Sequence, residues 1–245
     1  MQKDTRWSTG WSIVRLLAAL LIAAAVVAQL ARSVSNAMDS GGDVATVVAN
    51  FFSFFTVDSN VSSVVVLTIV GVLGLVRSPA GVTSSFALGL ARACVATYMI
   101  VTGVVYNTLL RGIELPQGVT VPWSNEVLHV VGPLFLLLDL VVGTAPHRLS
   151  WRAVLGILVF PLVWIAYTLV RGPLITNPTT GAAWWYPYPF LDPHLVGGYG
   201  GTIPYIVGIA VALGGFGAGV VYVGRRRTAH AVAAAPLVSP ADPAL

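Results

Sequence analysis

Six long apolar runs, separated by short polar linkers, are the feature that most constrains what this chain can fold into. Only 9% of its 245 residues are charged and 56% are hydrophobic, whereas a soluble domain carries about 25% charged residues. An apolar helix of about 20 residues spans the hydrocarbon core of a bilayer. The sequence therefore predicts an all-α, polytopic membrane helix bundle and excludes a soluble enzyme. The six predicted transmembrane helices cover residues 11–31, 51–76, 86–110, 123–143, 151–170 and 202–223.

The positions of Lys and Arg predict how this bundle lies in its membrane. With alternating helices, the side of both termini receives Lys3, Arg6, Arg77, Arg148, Arg152 and residues 225–227. The other side receives only Arg32, Arg111 and Arg171. Because basic loops are retained in the cytoplasm, we expect both termini to be cytoplasmic in a multi-pass plasma-membrane protein. The preference for Arg over Lys, with abundant Ala, Val and Gly, is typical of a GC-rich bacterial genome.

Two segments outside the spans have distinctive compositions. Residues 1–224 form the predicted transmembrane domain, and residues 225–245, basic and then rich in Ala and Pro, predict a disordered cytoplasmic tail. The long loop 171–201 contains the sequence WWYPYPFLDP at positions 184–193. Trp and Tyr collect at the headgroup level of a bilayer, so we interpret this loop as an interfacial anchor. A lid over a site is the alternative.

Cysteine and histidine usage excludes several kinds of site. Cys94 is the only cysteine, so no disulfide can form within the chain. Of the four histidines, only His129 lies within a predicted span, which leaves too few ligands for a metal site. We therefore expect no metal and no cofactor. No basic patch interleaved with aromatic residues indicates nucleic acid; the expected partners are membrane lipids, and no feature identifies a protein partner.

Three ionisable residues lie at similar depth near the cytoplasmic ends of their helices: Arg15, Arg92 and Asp139. Charges within spans are costly and usually paired or functional. We predict a structural ion pair between Arg92 and Asp139 that ties two helices together. A proton or ion pathway is the alternative.

A second polar group lies toward the outer ends of the second and fourth spans. In the second span, one helix face carries Asn50, Ser53, Thr56, Asn60 and Ser63. In the fourth, Asn125 and Glu126 share a face with His129. At 1.5 Å per residue, Thr56 and His129 would both lie about 8–9 Å below the outer surface. A hydroxyl and an imidazole are thus predicted at one level.

This combination of residues permits nucleophilic chemistry. A threonine hydroxyl needs a neighbouring base, and histidine is the usual one. Asn125 or Glu126 would fix the tautomer of His129, and the amides of Asn60 or Asn107 would stabilise an oxyanion. Pro133 frees the carbonyl of His129 from its helical hydrogen bond. The alternative is that these groups only join helices, as Thr, Ser and His often do in membranes.

At these residues the sequence resembles the six-helix family of the androgen-induced protein and the androgen-dependent TFPI-regulating protein. The resemblance rests on Asn125-x-x-x-His129-x-x-x-Pro133, on Thr56 in an aromatic-rich second helix, and on six helices. Residues 185–193 resemble its bacterial branch. Animal members are threonine hydrolases of fatty-acid esters. The resemblance therefore implies that Thr56 is a nucleophile, that His129 is its base, and that the substrate is lipid-like.

Three classes of function fit the sequence. The first is an intramembrane threonine-dependent hydrolase of lipid esters that admits its substrate from the outer leaflet. The second is a small-molecule or ion transporter, which the charged group at Arg92 and Asp139 and the glycine-rich sixth helix would suit. The third is a structural membrane protein without catalysis.

Overall fold

The computed structural model describes residues 2–76, 85–113, 120–144 and 148–233. Most of these residues are helical, and no strand occurs within those ranges. Six of its helical stretches are long and apolar enough to cross a membrane, which confirms the predicted all-α membrane bundle. The α-helices are α1 (Gln2–Asp39), α2 (Val44–Phe51), α3 (Phe55–Val76), α4 (Phe86–Val105), α5 (Pro122–Glu126), α6 (Gly132–Val142), α7 (Ala153–Arg171) and α8 (Tyr199–Ala233).

Two of the spans contain a π-helical turn. The first π turn, Tyr106–Leu110, continues α4. The second, Val127–Val131, joins α5 to α6 within the fourth span. Single π turns inside α-helices are rare and occur frequently at functional sites. Here the two turns carry Tyr106 and His129, so the irregular backbone lies where the sequence predicted the outer polar group of the fourth span.

The bundle has two distinct ends. The loop end carries α2, both π turns and the segment 172–198, and the terminus end is where α1 begins and α8 ends. α1 packs along α3, and α4 lies at the centre, against α3, α6, α7 and α8. α4 approaches α6 closely because residue 103 is glycine: a methyl group there would lie 2.8 Å from Pro133 Cβ. The large apolar side chains of the bundle surface remain exposed, as a lipid-facing surface requires.

Several helices begin or end away from the predicted spans; α1, for example, covers Gln2–Asp39 rather than residues 11–31. The second span does not begin at residue 51, because the helical conformation is interrupted at residues 52–54 and α3 starts at Phe55. Thr56 is therefore the second residue of a helix and not several residues inside one. The last helix continues to Ala233, so residues 225–233 are helical rather than disordered. The rest of the predicted tail, residues 234–245, lies outside the described residues.

The predicted surface anchor is instead buried in the bundle. Trp185, Tyr186, Tyr188, Phe190 and Leu191 are all less than a tenth exposed. Phe54 makes edge-to-face contacts with both Trp185 and Tyr188. The aromatic residues of the loop thus pack on helices rather than on lipid headgroups, which favours the lid over the anchor.

The charged group near the terminus end contains the predicted ion pair and a second, closer one. The predicted pair joins Arg92 to Asp139 at 3.7 Å. Arg15 pairs with the same carboxylate at 2.8 Å, and only 1% of its side chain is exposed. Trp11 Nε1 also donates to Asp139, at 2.5 Å. Both arginines donate to the carbonyl of Thr144, just beyond α6, so the cluster ties α1, α4 and α6 together.

Candidate active site at the loop end

A cavity lies between the helices at the loop end, beneath the buried part of the 172–198 segment. It encloses about 750 Å³, including its open mouth, and its surface is almost entirely apolar. Its walls come from α3, α4, the first π turn, α7, the buried loop and α8. The hydroxyl groups on the wall belong to Thr56, Thr102, Tyr106 and Tyr188. Cavities of this size and character accommodate small apolar ligands, and a fatty acyl chain is of that kind.

Thr56 lies on the wall of this cavity at the amino end of α3. The first main-chain N–H groups of a helix have no partner within the helix, and that of Thr56 donates to the hydroxyl oxygen of Tyr188 at 3.2 Å. The two side-chain hydroxyl oxygens are also 3.2 Å apart. Negative charge is stabilised near the amino end of a helix. The backbone break before Phe55 thus puts the Thr56 hydroxyl where an alkoxide or oxyanion is favoured.

Tyr188 is the partner of Thr56, and its hydroxyl keeps its proton rather than serving as a base. Burial raises the pKa of Tyr188 to about 12, although its hydrogen bonds with Thr56 lower it in part. The phenol is therefore protonated at neutral pH. Its proton is available either to Thr56 Oγ1 or to an oxygen of a bound ligand.

His129 is held in the tautomer that a general base requires. Its Nδ1 lies 2.9 Å from the main-chain carbonyl oxygen of Asn125. A carbonyl only accepts, so Nδ1 carries the proton and the neutral ring presents Nε2 as its lone-pair nitrogen. The tautomer is thus fixed by the Asn125 backbone, and not by the Asn125 amide or by Glu126 as the sequence suggested.

The ring of His129 is also fixed by its neighbours across the two π turns. It stacks on Tyr106 with ring centroids 3.9 Å apart, and the Tyr106 hydroxyl accepts a 2.5 Å hydrogen bond from the Asn125 amide. Asn107 Nδ2 donates to the carbonyl oxygen of His129 at 3.3 Å. That is the carbonyl which Pro133 was predicted to free. The π turns therefore form one hydrogen-bonded unit around the imidazole.

Glu126 lies at the edge of this unit. Its carboxylate accepts from Arg111 at 3.1 Å, and Arg111 also donates to Asn107 Oδ1 at 2.9 Å. About half of each charged side chain is exposed. Glu126 therefore positions Arg111 and Asn107 rather than His129.

The two predicted amide donors for an oxyanion are fully engaged elsewhere. Asn60 Nδ2 donates to the carbonyls of Thr56 and Leu128, and Asn107 Nδ2 donates to those of Gly103 and His129. A side-chain amide has two N–H donors, so neither residue has one left for an oxyanion. Their role in the structure is to hold the backbone of the π turns and of α3. The donor that remains beside Thr56 at the cavity is the Tyr188 hydroxyl, which itself accepts from the Thr56 main-chain N–H.

The structure brings Thr56 and His129 to the same end of the bundle but does not join them. Thr56 is hydrogen-bonded to Tyr188 and His129 to Asn125; among the described residues no hydrogen bond links Thr56 with His129. Tyr106 connects the two environments, because it lines the cavity beside Thr56 and stacks on His129. Tyr106 and Tyr188 were not singled out from the sequence. Only the unusual aromatic density of residues 184–193 pointed to one of them.

No protein family model, curated protein or solved structure matches this chain.

Proposed function

We propose that this protein is a multi-pass plasma-membrane hydrolase that cleaves a lipid-like ester, with Thr56 as nucleophile and His129 as general base. The observation that carries the proposal is the position of the Thr56 hydroxyl, at the amino end of α3 and on the wall of a large apolar cavity. An acyl chain would occupy the cavity and present its ester carbonyl to Thr56. With both termini cytoplasmic, the cavity lies in the outer leaflet. The resemblance in Asn125, His129 and Pro133 is consistent with this chemistry.

In the proposed reaction, Thr56 Oγ1 attacks the ester carbonyl carbon and its proton passes to Nε2 of His129, directly or through one water molecule. The ester C–O bond then breaks, and the departing alcohol takes the proton from His129. Water attacks the acyl-threonine, His129 accepts the proton of that water, and Thr56 Oγ1 recovers it as the fatty acid leaves. Because Thr56 is hydrogen-bonded to Tyr188 and His129 to Asn125, the proton transfer requires a movement of side chains or a bridging water molecule.

The oxyanion donors in the proposed reaction come from the same contact. Negative charge on the carbonyl oxygen would develop beside the amino end of α3, where the Thr56 main-chain N–H donates to the Tyr188 hydroxyl; once Tyr188 turns to the oxyanion, that N–H is released as a second donor. Donors that are fixed before the reaction stabilise such charge strongly in a site that excludes water. Tyr188 would exchange its hydrogen bond with Thr56 for one with the oxyanion.

Replacing His129 with Gln tests the base. Gln fills similar space but cannot accept the proton of Thr56, so we expect kcat to fall by about 100- to 10,000-fold. The measurement is the release of fatty acid from a long-chain ester by the purified protein in detergent. His194→Gln is the matched control, because His194 is an exposed residue of the loop that stacks on Trp184. Equal rates for His129→Gln and His194→Gln would contradict the assignment of His129.

Replacing Tyr188 with Phe tests the oxyanion donor. The ring still packs in the loop, but the hydroxyl that contacts Thr56 is lost, and kcat should fall by about 100-fold with little change in KM. Tyr98→Phe is the control: the buried Tyr98 hydroxyl donates to the carbonyl of Ile157 at 2.7 Å, away from Thr56. We expect Tyr98→Phe to lower stability while leaving kcat unchanged. A kcat for Tyr188→Phe that equals that of Tyr98→Phe would remove Tyr188 from the mechanism.

A second candidate function is lipid binding without catalysis. It is favoured by one observation: the Thr56 hydroxyl is paired with Tyr188 and not with His129. In that case the purified protein would retain an acyl lipid in the cavity but release no fatty acid. Retention with no turnover of any long-chain ester would support this function over hydrolysis.

A further inference from the structure

A second cavity lies at the terminus end of the bundle, between α3, α4, α6 and α8. It encloses about 610 Å³ including its open part. Most of its wall is aliphatic, with residues such as Val66, Val70 and Val221. The charged side chains on its wall are those of Arg92, Asp139 and Arg227. Charged side chains on this wall distinguish it from the uncharged, almost entirely apolar cavity at the loop end and favour a different ligand.

Arginine side chains outnumber the carboxylates at this cavity among the described residues. Arg15, Arg92 and Arg227 all interact electrostatically with Asp139. Among the residues whose side chains the structure describes, Asp139 is the sole carboxylate at the terminus end. Its closest ion pair is with Arg15, at 2.8 Å, so Arg227 shares that carboxylate with a nearer arginine.

Arg227 is the arginine on this wall that most clearly favours an anionic ligand. Its guanidinium donates to the carbonyl of Leu140 at 2.8 Å and to that of Gly143. Within the described part of the chain, no carboxylate forms an ion pair with it. The carboxyl end of a helix contributes only about half a negative charge. A guanidinium that is half-buried in a bilayer-embedded bundle is costly without a full counter-charge, so a bound anion would stabilise it.

We propose that this cavity binds a phosphate group, that of an acidic phospholipid headgroup, through Arg227 and Arg92. Basic pockets between transmembrane helices on the cytoplasmic side are suited to acidic headgroups, and the terminus end is the side that we expect to be cytoplasmic. Guanidinium groups match phosphate oxygens in geometry and charge. The aliphatic wall continues the site toward the acyl chains. This binding site is separate from the proposed hydrolase and does not depend on it.

The experiment uses the full chain purified in a neutral detergent. Dioleoyl phosphatidylglycerol, dioleoyl phosphatidylcholine or inorganic phosphate is added, and binding is followed by the shift in thermal unfolding and by lipid retention in native mass spectrometry. Phosphatidylglycerol should raise the unfolding temperature and be retained, whereas phosphatidylcholine should do neither. A similar shift from millimolar inorganic phosphate alone would support the phosphate site but assign it to a soluble anion. No effect of either phosphatidylglycerol or phosphate would overturn the proposal.

Two substitutions on the same helix locate the site. Arg227→Gln should weaken phosphatidylglycerol binding by about tenfold or more, whereas Arg226→Gln, which removes an equal charge from an exposed position, should not. Arg227→Lys keeps the charge and should retain most of the binding, and it replaces the Gln variant if that protein does not fold. Equal affinity of Arg227→Gln and Arg226→Gln for phosphatidylglycerol would contradict the proposal. So would loss of the preference for phosphatidylglycerol over phosphatidylcholine in Arg226→Gln alone.

Discussion

Thr56→Ala should abolish ester hydrolysis, with kcat at least about 1,000-fold below that of the native chain. Alanine leaves the cavity almost unchanged but removes the oxygen that attacks the ester carbonyl. Thr56→Ser keeps this oxygen and should retain a measurable fraction of the activity. The measurement is the rate of fatty acid release from a long-chain ester in detergent micelles, with each variant purified in the same way.

Thr102→Ala is the matched control for this experiment. Thr102 lines the same cavity, and its hydroxyl lies 3.5 Å from Ser59 Oγ rather than beside Tyr188. Removing the Thr102 hydroxyl should leave the rate within about fivefold of the native rate. This hydroxyl takes no part in the proposed chemistry, and the loss of so small a group from an apolar pocket changes substrate binding only modestly. A Thr56→Ala protein as active as Thr102→Ala would exclude Thr56 as the nucleophile.

Asp139→Ala should lower the free energy of unfolding by about 3–5 kcal/mol, the largest stability effect that we expect in this protein. The substitution leaves Arg15, 1% exposed, without its ion-pair partner, and it also removes the acceptor of Trp11 Nε1. An uncompensated buried charge costs more than the pair itself contributes. Thermal or denaturant unfolding in one detergent, followed by tryptophan fluorescence, measures the change.

Glu126→Gln is the control for Asp139→Ala, because it removes an exposed ion pair instead of a buried one. Glu126 and Arg111 are both about half exposed, and such pairs contribute about 0–1 kcal/mol. The double variant Arg15→Met with Asp139→Leu should recover part of the stability that Asp139→Ala loses, because it removes the unpaired Arg15 charge, while Arg92 still loses its ion pair with Asp139. An Asp139→Ala protein that is as stable as Glu126→Gln would show that the cluster at the terminus end does not support the bundle.

The sequence predicted the number and order of the spans because hydropathy is a local property that each run carries by itself. The break at residues 52–54 was missed because the local sequence FFSFF, residues 51–55, contains no proline or glycine that would mark it. The break depends on another helix: Trp164 Nε1 donates to the carbonyl of Ser53 at 3.1 Å, and the Ser53 and Tyr167 hydroxyls are 3.0 Å apart. These contacts satisfy backbone and side chain where the helix is interrupted, as a membrane interior requires.

Contacts between helices also explain why the arrangement of the charged cluster was not fully predicted. Arg15 and Arg92 were expected at one depth, and depth alone does not decide which of them faces Asp139. The rotation of each helix about its axis decides it, and that rotation depends on packing. The structure turns Arg15 inward on α1 and leaves Arg92 at 3.7 Å.

At the candidate site, the sequence predicted those features that depend on residues close together in the chain. Pro133 frees the His129 carbonyl because proline lacks an N–H, and Asn107 accordingly donates to it. The contact between Thr56 and Tyr188 joins residues far apart in the chain, and no periodicity encodes it. The π turn that places Tyr106 on His129 also arises from packing between spans.

Covalent labelling tests the central claim most directly. The purified chain in detergent is treated with a lipophilic fluorophosphonate, digested, and the modified residue is located by mass spectrometry. We expect a single adduct on the Thr56 hydroxyl, which is absent in Thr56→Ala, strongly slowed in His129→Gln, and prevented by excess long-chain ester. An adduct that forms equally in Thr56→Ala, or no adduct in the native chain while it hydrolyses esters, would contradict the account.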